Sequence, residues 1–232
     1  MKKNAGISVV VCAKNEEKYI EACLKALSKQ LIKPEIIVVD ARSSDNTVSI
    51  AKKYADKILY DHGKGISDAR NIGWKAANCG IVAYCDADAV PKKDWTKNIA
   101  ELLEKYDAVS GPLIANDGSR KLGACMKLFA DIFPRLASLF GWNLLWGANM
   151  AFRKSALEKN PFMLGFLEDY EIGSRLRKSC RVKFSEKIGI PASTRRFEKS
   201  FFRTCMKYYA LNFIKIKFMK KDAGGYIMGG NA

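Results

Sequence analysis

The N-terminal half of the sequence alternates short apolar runs with segments of helical periodicity. The runs are Ile7–Ala13, Glu35–Asp40, Lys57–Tyr60 and Ile81–Cys85. Continuous apolar runs with β-branched residues are typical of strands that are covered on both faces, as in parallel sheets. Strands that alternate with helices form right-handed crossover units. The sequence therefore predicts an α/β fold in which a mostly parallel central sheet is flanked by helices.

The fourth run stops on two carboxylates that lie one residue apart, Asp86 and Asp88. Open α/β sheets bind ligands outside the carboxyl ends of their strands, so both acids are expected at the ligand-binding edge. Carboxylates at such a position can hold a ribose hydroxyl and a divalent cation that carries a diphosphate. The structural alternative is that Asp86 only caps the helix expected near Pro91.

Composition and charge limit the class of protein. The chain has 232 residues, of which 48% are hydrophobic, enough for one sizeable domain or one domain with an appendage. Its formal charge of +16 implies an anionic partner: a nucleotide, a nucleic acid or an acidic membrane surface. Seven cysteines without disulfide or zinc spacing predict a reducing compartment and hence a cytoplasmic location.

A membrane span and a secretion signal are not expected. The longest uncharged run, Leu136–Phe152, is shorter than the ~20 residues that a span needs, and it contains glycines and asparagines. The apolar run near the start of the chain is only long enough for a strand. A soluble or surface-bound protein is therefore predicted.

Polar residues also follow the second and third runs. Asp40 closes the second run, and the loop that leads to Thr47 is dense in helix-capping residues. After the third run, Gly63 and Gly65 allow close backbone approach, and Arg70 falls in the first turns of the next helix. Its guanidinium would suit phosphate there, although a solvated arginine on a helix face is the alternative.

Six motifs resemble, in order and spacing, those of family 2 glycosyltransferases of the GT-A fold. They are Ser8–Glu17, Val39–Thr47, Gly65–Asn71, Asp86–Asp88, Gly147–Arg153 and Glu168–Asp169. Several motifs in the correct order are far more specific than any one of them. The resemblance covers roughly Ile7 to Leu176. It implies transfer of a sugar, with inversion, from a nucleoside diphosphate sugar to a hydroxyl acceptor.

The same resemblance assigns roles to individual residues. It implies that the nucleotide sugar is bound by Ala13, Asn15, Glu16, Asp40, Arg70, Asp86 and Arg196. Asp40 would contact the base, Asp86 the ribose and Arg70 the phosphates. Asp88 would bind the metal. Three residues would lie on the acceptor side: Trp146, Gly147 and Asn149.

Two departures from the family pattern concern the metal and the nucleotide. No histidine follows His62, so a divalent cation would be held by Asp88, diphosphate oxygens and water. Such a ligand set suits Mg²⁺ or Mn²⁺. Ala41 stands where many relatives have a second acid, so the choice of nucleotide stays open.

The acids Glu168 and Asp169 follow an apolar pair and precede a helical pattern. An inverting transfer needs a base opposite the leaving nucleotide to take the proton of the acceptor hydroxyl, and a carboxylate is sufficient. The resemblance implies that Asp169 is this base and that Glu168 is its catalytic neighbour. Capping of the helix by Asp169 is the alternative, and the two roles are compatible.

Further elements are predicted after the acidic pair. A helix is expected from Pro91 to Tyr106, and a strand is expected at Ala108–Ile114. An apolar stripe of helical spacing runs from Leu122 to Phe140 and is interrupted by Pro134. Core packing is the simplest role for this stripe, while the aromatic cluster from Phe140 to Trp146 suits a lipid or an interface.

The sequence divides after residue 197. Residues 1–197 are predicted to form a single GT-A catalytic domain, with a nucleotide-sugar half at 1–115 and an acceptor half at 116–197. Residues 198–232 form a basic tail whose apolar helical stripe consists of Phe202, Met206, Tyr209, Phe213 and Ile216. Such an amphipathic helix predicts either peripheral attachment to the inner face of the membrane, with a lipid-linked acceptor, or packing on the catalytic domain.

Two other classes of function fit parts of the sequence. A nucleotidyltransferase that makes sugar nucleotides also uses paired acids, but its phosphate loop is glycine-rich and the loop here is Ala13–Glu17. A non-catalytic basic module that binds membrane or nucleic acid would leave Asp40, Asp86 and Asp88 without a purpose. No nucleic-acid-binding motif occurs in the sequence, so nucleic acid is not an expected partner.

Overall fold

The structure, a computed structural model, describes residues 6–132, 134–136, 145–165 and 168–195. The strands of these residues are β1 (Ile7–Ala13), β2 (Glu35–Asp40), β3 (Lys57–Tyr60), β4 (Ile81–Cys85), β5 (Ala108–Ser110), β6 (Leu113–Ala115), β7 (Asn149–Arg153), β8 (Val182–Phe184) and β9 (Ile190–Ala192). The α-helices are α1 (Ile20–Ser28), α2 (Thr47–Ala51), α3 (Ile66–Ala76), α4 (Trp95–Leu103), α5 (Arg120–Lys127), α6 (Lys154–Lys159) and α7 (Glu168–Leu176). A π-helix, Leu128–Ile132, continues α5, and a 3₁₀-helix, Glu186–Ile188, precedes β9.

A seven-stranded sheet forms the centre of the fold, in the order β3-β2-β1-β4-β7-β5-β8. Strands β1 to β4 pair in parallel, whereas β7 runs antiparallel to both of its neighbours, β4 and β5. β8 pairs in parallel with β5. The prediction of a mostly parallel sheet flanked by helices is confirmed.

Each face of the sheet has its own apolar layer, because successive residues of a strand point to opposite faces. In β1, Val9 and Val11 belong to the layer that contains Leu24 of α1. Val10 belongs to the other layer, which contains Trp74 of α3. The three valines are fully buried, and burial of each contributes about 1.5–3 kcal/mol. Burial on both faces explains why the run that forms β1 is apolar at nearly every position.

The strand predicted at Ala108–Ile114 is wrong, because the structure divides it into two. β5 ends at Ser110 and belongs to the large sheet, whereas β6 begins at Leu113 and pairs in parallel with β9. Pro112 has no N–H to donate to a ladder, which favours the end of β5 in front of it. A second, two-stranded sheet therefore starts beyond the proline.

The helix predicted from Pro91 to Tyr106 is shorter, since α4 covers only Trp95–Leu103. The segment in front of α4 is held by tertiary contacts. Gln30 Nε2 donates a hydrogen bond to the Lys92 carbonyl at 2.8 Å. The proline thus lies before the helix and does not begin it.

The apolar stripe predicted from Leu122 to Phe140 packs into the core only in part. Met126 is 1% exposed, whereas Phe129 and Leu136 are 40% and 52% exposed. The π-helix after α5 has a wider turn than an α-helix, so it moves the stripe out of phase with the core. The remainder of the stripe lies outside the described residues.

The predicted tail, residues 198–232, also lies outside the described residues, as does Arg196. Within the described ranges, no helix combines the length and the apolarity needed to cross a membrane. The boundaries proposed for the domain and for its two halves stay predictions.

The contact between α3 and β1 gives a prediction about stability. An added Cβ at Gly73 would overlap the methyl groups of Val10. We therefore expect Gly73→Ala to lower the free energy of unfolding by about 1–3 kcal/mol, as overpacking of a core does. The control is Gly123→Ala on α5, where the nearest contact of a Cβ is Ala115 Cβ at 3.7 Å and alanine favours the helix by about 1 kcal/mol. Urea denaturation measures the free energy of unfolding of both variants. If Gly73→Ala were as stable as wild type, the close packing of Gly73 on Val10 would be contradicted.

Candidate active site

The loops after β1 and β2 are joined at the carboxyl edge of the sheet. Glu16 N donates to Thr47 Oγ1 at 2.8 Å. Ser44 N donates to Asn15 Oδ1 at 2.9 Å, and Asn15 N donates to Ser43 Oγ at 2.9 Å. Asn15 has a φ of 54°, which asparagine tolerates better than most residues do. These bonds hold Asn15 and Glu16, two residues predicted to bind the nucleotide sugar, in fixed positions.

Asp40 lies at the end of β2, beside Ala13 at the end of β1. Its carboxylate is fully buried and accepts two hydrogen bonds from Ser43, from N at 2.8 Å and from Oγ at 2.6 Å. Ala41 N donates to the Ala13 carbonyl at 2.8 Å. The residues predicted to contact the base are thus adjacent, and Asp40 also shapes the loop that follows it.

Arg195 connects the acid of the first loop with an acid that follows β4. Its Nη2 lies 2.5 and 2.6 Å from the two carboxylate oxygens of Glu16. Its Nε and Nη2 each lie 3.0 Å from Asp88 Oδ2. The guanidinium also covers the ring of Tyr19, with Cζ 4.3 Å from the ring centroid. Because Asp88 is only 7% exposed, the adjacent cation stabilises its charge.

The sequence predicts Arg196 as a ligand, and its neighbour Arg195 was noted only as a second guanidinium in the same segment. The structure shows why the chain brings Arg195 to this place. Ala192 forms a β-bridge with Ala89, which directly follows Asp88. Arg195 and Asp88 are 107 positions apart, so no local pattern indicates their contact. The local signal is the pair of adjacent arginines, Arg195 and Arg196, that follows Pro191.

The surroundings of Asp88 fit a Mg²⁺ or Mn²⁺ ion. Hard divalent cations bind carboxylate, phosphate and water oxygens, and Asp88 offers a carboxylate at the edge where a diphosphate is expected. Its pairing with Arg195 indicates a position that favours a cation. Asp86, the other acid of the motif, is half-buried. The described residues form no cluster of three or more metal-ligating side chains, so substrate and water would complete the ligand set.

A further ion pair, between Arg70 and Glu168, connects α3 to α7. The two side chains are only 6% and 10% exposed, and Arg70 Nη1 donates to Glu168 Oε1. The rings of Tyr84 and Phe162 lie 6.0 and 5.8 Å from Arg70 Cζ. Burial opposes the charge of Arg70, but Glu168 raises its pKa above the usual value, so the guanidinium stays protonated. The structure thus places Arg70, predicted near the phosphates, against a predicted catalytic acid.

Asp169, the predicted base, lies in the first turn of α7 and accepts two backbone hydrogen bonds. Gly147 N donates to Oδ2 at 3.2 Å, and Tyr170 N donates to Oδ1 at 2.8 Å. Burial, and after it the charge of Glu168, raises the pKa of Asp169 to about 7, while Arg70 acts in the opposite direction. A general base is most effective when its pKa lies near the working pH. The surroundings therefore suit Asp169 to proton transfer at neutral pH.

Trp146 and Gly147, predicted on the acceptor side, carry the backbone past these acids. Trp146 N donates to Ser110 Oγ at 2.9 Å, which ties this segment to β5. Gly147 lies directly against the Arg70 guanidinium, and an added Cβ there would overlap it. The glycine thus lets the backbone N–H reach Asp169 while Arg70 passes beside it.

Asn149, the third residue predicted on the acceptor side, is fully buried. Its Nδ2 donates to the carbonyls of Pro112 and Ile188, at 3.2 and 2.7 Å. Its Oδ1 accepts a hydrogen bond from Trp95 Nε1 at 3.1 Å. These contacts give Asn149 a structural role, joining β7 to α4 and to the turn after β5, while the predicted acceptor contact stays a prediction.

The sheet order and the acids at its carboxyl edge define an α/β protein of the nucleotide-binding type. The family model described as Glycosyl transferase family 2 matches residues 8–160. The chain therefore belongs to glycosyltransferase family 2, as the order of its motifs implied.

Two curated relatives match over part of their own length. The poly(ribitol-phosphate) beta-N-acetylglucosaminyltransferase TarS of Staphylococcus aureus is 30% identical over 141 residues, which is 57% of this chain and 24% of TarS. The probable glycosyltransferase YdaM of Bacillus subtilis is 31% identical over 204 residues, 78% of this chain and 47% of YdaM. The chain thus spans less than half the length of either relative.

Solved structures share the fold. The mannosyltransferase PcManGT from Pyrobaculum calidifontis, in complex with GDP-Man and Mn²⁺, superposes with a TM-score of 0.67 at 22% identity, covering 83% of this chain and 58% of PcManGT. TarS residues 1–349 in complex with UDP-GlcNAc gives a TM-score of 0.63 at 22% identity, covering 81% of this chain and 58% of that one. The predicted GT-A fold is confirmed.

The raised pKa of Asp169 predicts how stability depends on pH. The folded protein keeps this proton up to about pH 7, whereas the unfolded chain releases it near 3.8. Between these values the folded state binds more protons, so this group should make stability fall as the pH rises. We expect Asp169→Asn to reduce that fall, and Asp107→Asn, at the opposite edge of the sheet, to leave it unchanged. Urea denaturation at about pH 5 and about pH 8 measures this, and an equal fall in wild type and Asp169→Asn would contradict the raised pKa.

Proposed function

We propose that the protein transfers a sugar from a nucleoside diphosphate sugar to a hydroxyl acceptor, with inversion and with a bound divalent cation. One observation carries this proposal: the same sheet edge presents a nearly buried carboxylate that is paired with a guanidinium, Asp88, and a carboxyl with a pKa of about 7, Asp169. The first suits the leaving diphosphate. The second suits the acceptor hydroxyl. Membership of glycosyltransferase family 2 supports the same reaction.

The donor would bind over the loops after β1, β2 and β4. In this proposal Asp40 contacts the base and Asp86 the ribose, while Asp88 faces the diphosphate. The complexes of PcManGT with GDP-Man and Mn²⁺ and of TarS with UDP-GlcNAc support a nucleoside diphosphate sugar as donor. A divalent cation, Mg²⁺ or Mn²⁺, would when bound stabilise the negative charge of the leaving diphosphate. Arg195 supplies a further positive charge beside it.

The acceptor would bind near the start of α7. Asp169 takes the proton of the acceptor hydroxyl. The hydroxyl oxygen attacks the anomeric carbon from the side opposite the nucleotide, the bond from that carbon to the diphosphate breaks, and the centre is inverted. The N–H of Gly147 fixes the direction of the Asp169 carboxylate. Arg70 limits how far the pKa of Asp169 rises, because its positive charge favours the ionised form, whereas the negative charge of Glu168 raises that pKa.

Two substitutions should separate donor binding from proton transfer. Asp88→Asn should abolish the Mn²⁺-dependent stabilisation by a nucleoside diphosphate, which for wild type at a hundredfold excess over the dissociation constant amounts to ~2.7 kcal/mol. Asp169→Asn should keep that stabilisation and lose about a hundredfold or more in turnover, measured as release of the nucleoside diphosphate from its sugar. Melting curves with UDP and with GDP provide the first measurement.

Asp107→Asn is the matched control, since it removes one carboxylate from the amino edge of the sheet, where Asp107 pairs with Arg153 and Arg181. It should behave as wild type in both assays. If Asp169→Asn retained full turnover and lost stability, Asp169 would be only a helix cap. Binding that is equal with and without EDTA, in wild type and Asp88→Asn alike, would contradict the role of the metal.

We also propose that the acceptor is lipid-linked and that the protein works at the inner face of a membrane. Four large apolar side chains in the second half of the chain are 39–52% exposed: Leu128, Phe129, Ile132 and Leu136. The formal charge of +16 adds attraction to anionic lipid, at about 1 kcal/mol for each basic residue near the surface. Apolar contact and positive charge together favour reversible attachment.

Sedimentation with vesicles tests this attachment. The full chain should pellet with vesicles that contain anionic lipid, less so as salt is raised, because salt screens the charges. A protein truncated after Arg196, which lacks the predicted basic tail, should pellet less. Negligible pelleting of both proteins at low salt would contradict the membrane role and favour a soluble acceptor.

A further inference from the structure

In the structure, the positively charged group that contacts Asp88 is the guanidinium of Arg195. Arg195 Nε donates to Asp88 Oδ2 at 3.0 Å, and Nη2 forms an ion pair with the same oxygen at 3.0 Å. The same Nη2 donates to both carboxylate oxygens of Glu16. The side chains of Glu16 and Asp88 are 8% and 5% exposed, so little solvent screens their contacts with Arg195. One guanidinium therefore neutralises part of the charge of two nearly buried acids.

A divalent metal ion that used Asp88 Oδ2 as a ligand would compete with Arg195 for that oxygen. A Mg²⁺ ion lies ~2.0–2.1 Å from a ligand oxygen and repels a guanidinium that approaches the same atom. A metal ion at Asp88 Oδ2 would therefore have to displace Arg195 or share the oxygen with it at an electrostatic cost. This displacement lowers the affinity for a metal ion alone.

The geometry around Arg195 allows its side chain to leave while its backbone stays in place. Asp117 holds the preceding residues, since its carboxylate accepts hydrogen bonds from Ser193 Oγ, Thr194 N and Thr194 Oγ1 at 2.6–2.7 Å. The Arg195 side chain is 29% exposed, and on one side it rests on the Tyr19 ring. The guanidinium can thus rotate towards the ligand-binding edge without any movement of the strand before it.

We propose that Arg195 couples the binding of the metal to the binding of the nucleotide, an inference that rests on the proposed donor and cation. Arg195 holds Asp88 and Glu16 until a metal ion arrives together with a diphosphate. It then releases Asp88 to the metal and pairs with the diphosphate oxygens, which suit a planar guanidinium. The metal alone offers Arg195 no new partner, whereas the metal with a nucleoside diphosphate does. Arg195 is in this sense a positioning residue that disfavours the metal without its nucleotide.

The proposal predicts effects of opposite sign. Arg195→Gln should raise the affinity for Mn²⁺ alone by about tenfold, equivalent to ~1.4 kcal/mol, because nothing then competes for Asp88. The same variant should weaken the gain in Mn²⁺ affinity that UDP or GDP produces, since the diphosphate has lost a partner. A merely structural role would weaken both kinds of binding, together with stability.

Electron paramagnetic resonance of free Mn²⁺ measures this directly and needs no turnover. Mn²⁺ is titrated into wild type, Arg195→Gln and Asp88→Asn, first without nucleotide and then with UDP or GDP. Asp88→Asn defines the signal that does not arise from this site. Arg181→Gln is the charge-matched control, because Arg181 is 68% exposed and pairs with Asp107 at the amino edge of the sheet. It should bind Mn²⁺ as wild type does.

Tyr19→Leu is a second variant in case Arg195→Gln does not fold. It removes the ring under the guanidinium and leaves every charge in place, so it should also raise the affinity for Mn²⁺ alone, by a smaller factor. An affinity for Mn²⁺ alone that is unchanged or lower in the folded variants would overturn the proposal. Failure of the proposed function would look different: neither UDP nor GDP would change Mn²⁺ binding in wild type, while the increase with Mn²⁺ alone in Arg195→Gln would remain.

Discussion

The parallel pairing of β1 with β2 and β4 is the constraint on which the site depends. The ladder sets Ala13 opposite Asp40 and Val10 opposite Tyr84, so the three strands reach the same edge. Their apolar side chains are buried on both faces, which fixes the register because a shift by one residue would exchange the two faces. The polar residues that follow each strand then have to meet. The candidate donor site is a consequence of this register.

Two arginines pair with acids of the site, and they differ in their freedom to move. Removal of one partner from a buried pair costs about 3–5 kcal/mol, so each arginine constrains its carboxylate strongly. The Arg70 side chain is 6% exposed and lies between aromatic rings, whereas the Arg195 side chain is 29% exposed. The enclosed position of Arg70 keeps its positive charge at a fixed place near Asp169. The more exposed position of Arg195 suits an exchange of its ion-pair partners near Asp88.

The sequence was sufficient for the parts of the fold that are coded locally. β1 to β4 appear at the predicted positions, because a strand buried on both faces leaves a continuous apolar run. The errors arise where a distant contact decides. The end of β5 depends on Pro112 and on a pairing of β6 with β9. The interior position of Asn149 and the contact of Arg195 with Asp88 likewise join residues that are far apart in the chain.

The order of strands also determines when the fold can form. β5 has two neighbours in the sheet, β7 and β8, and both come later in the chain. During synthesis β5 therefore has no strand to pair with until Asn149–Arg153 has been made, and β8 follows only at Val182–Phe184. Such late, non-local pairing slows folding and exposes strand edges on the ribosome. Residues 1–115 released alone would thus carry an unpaired β5, and chaperones would be expected to recognise that nascent chain.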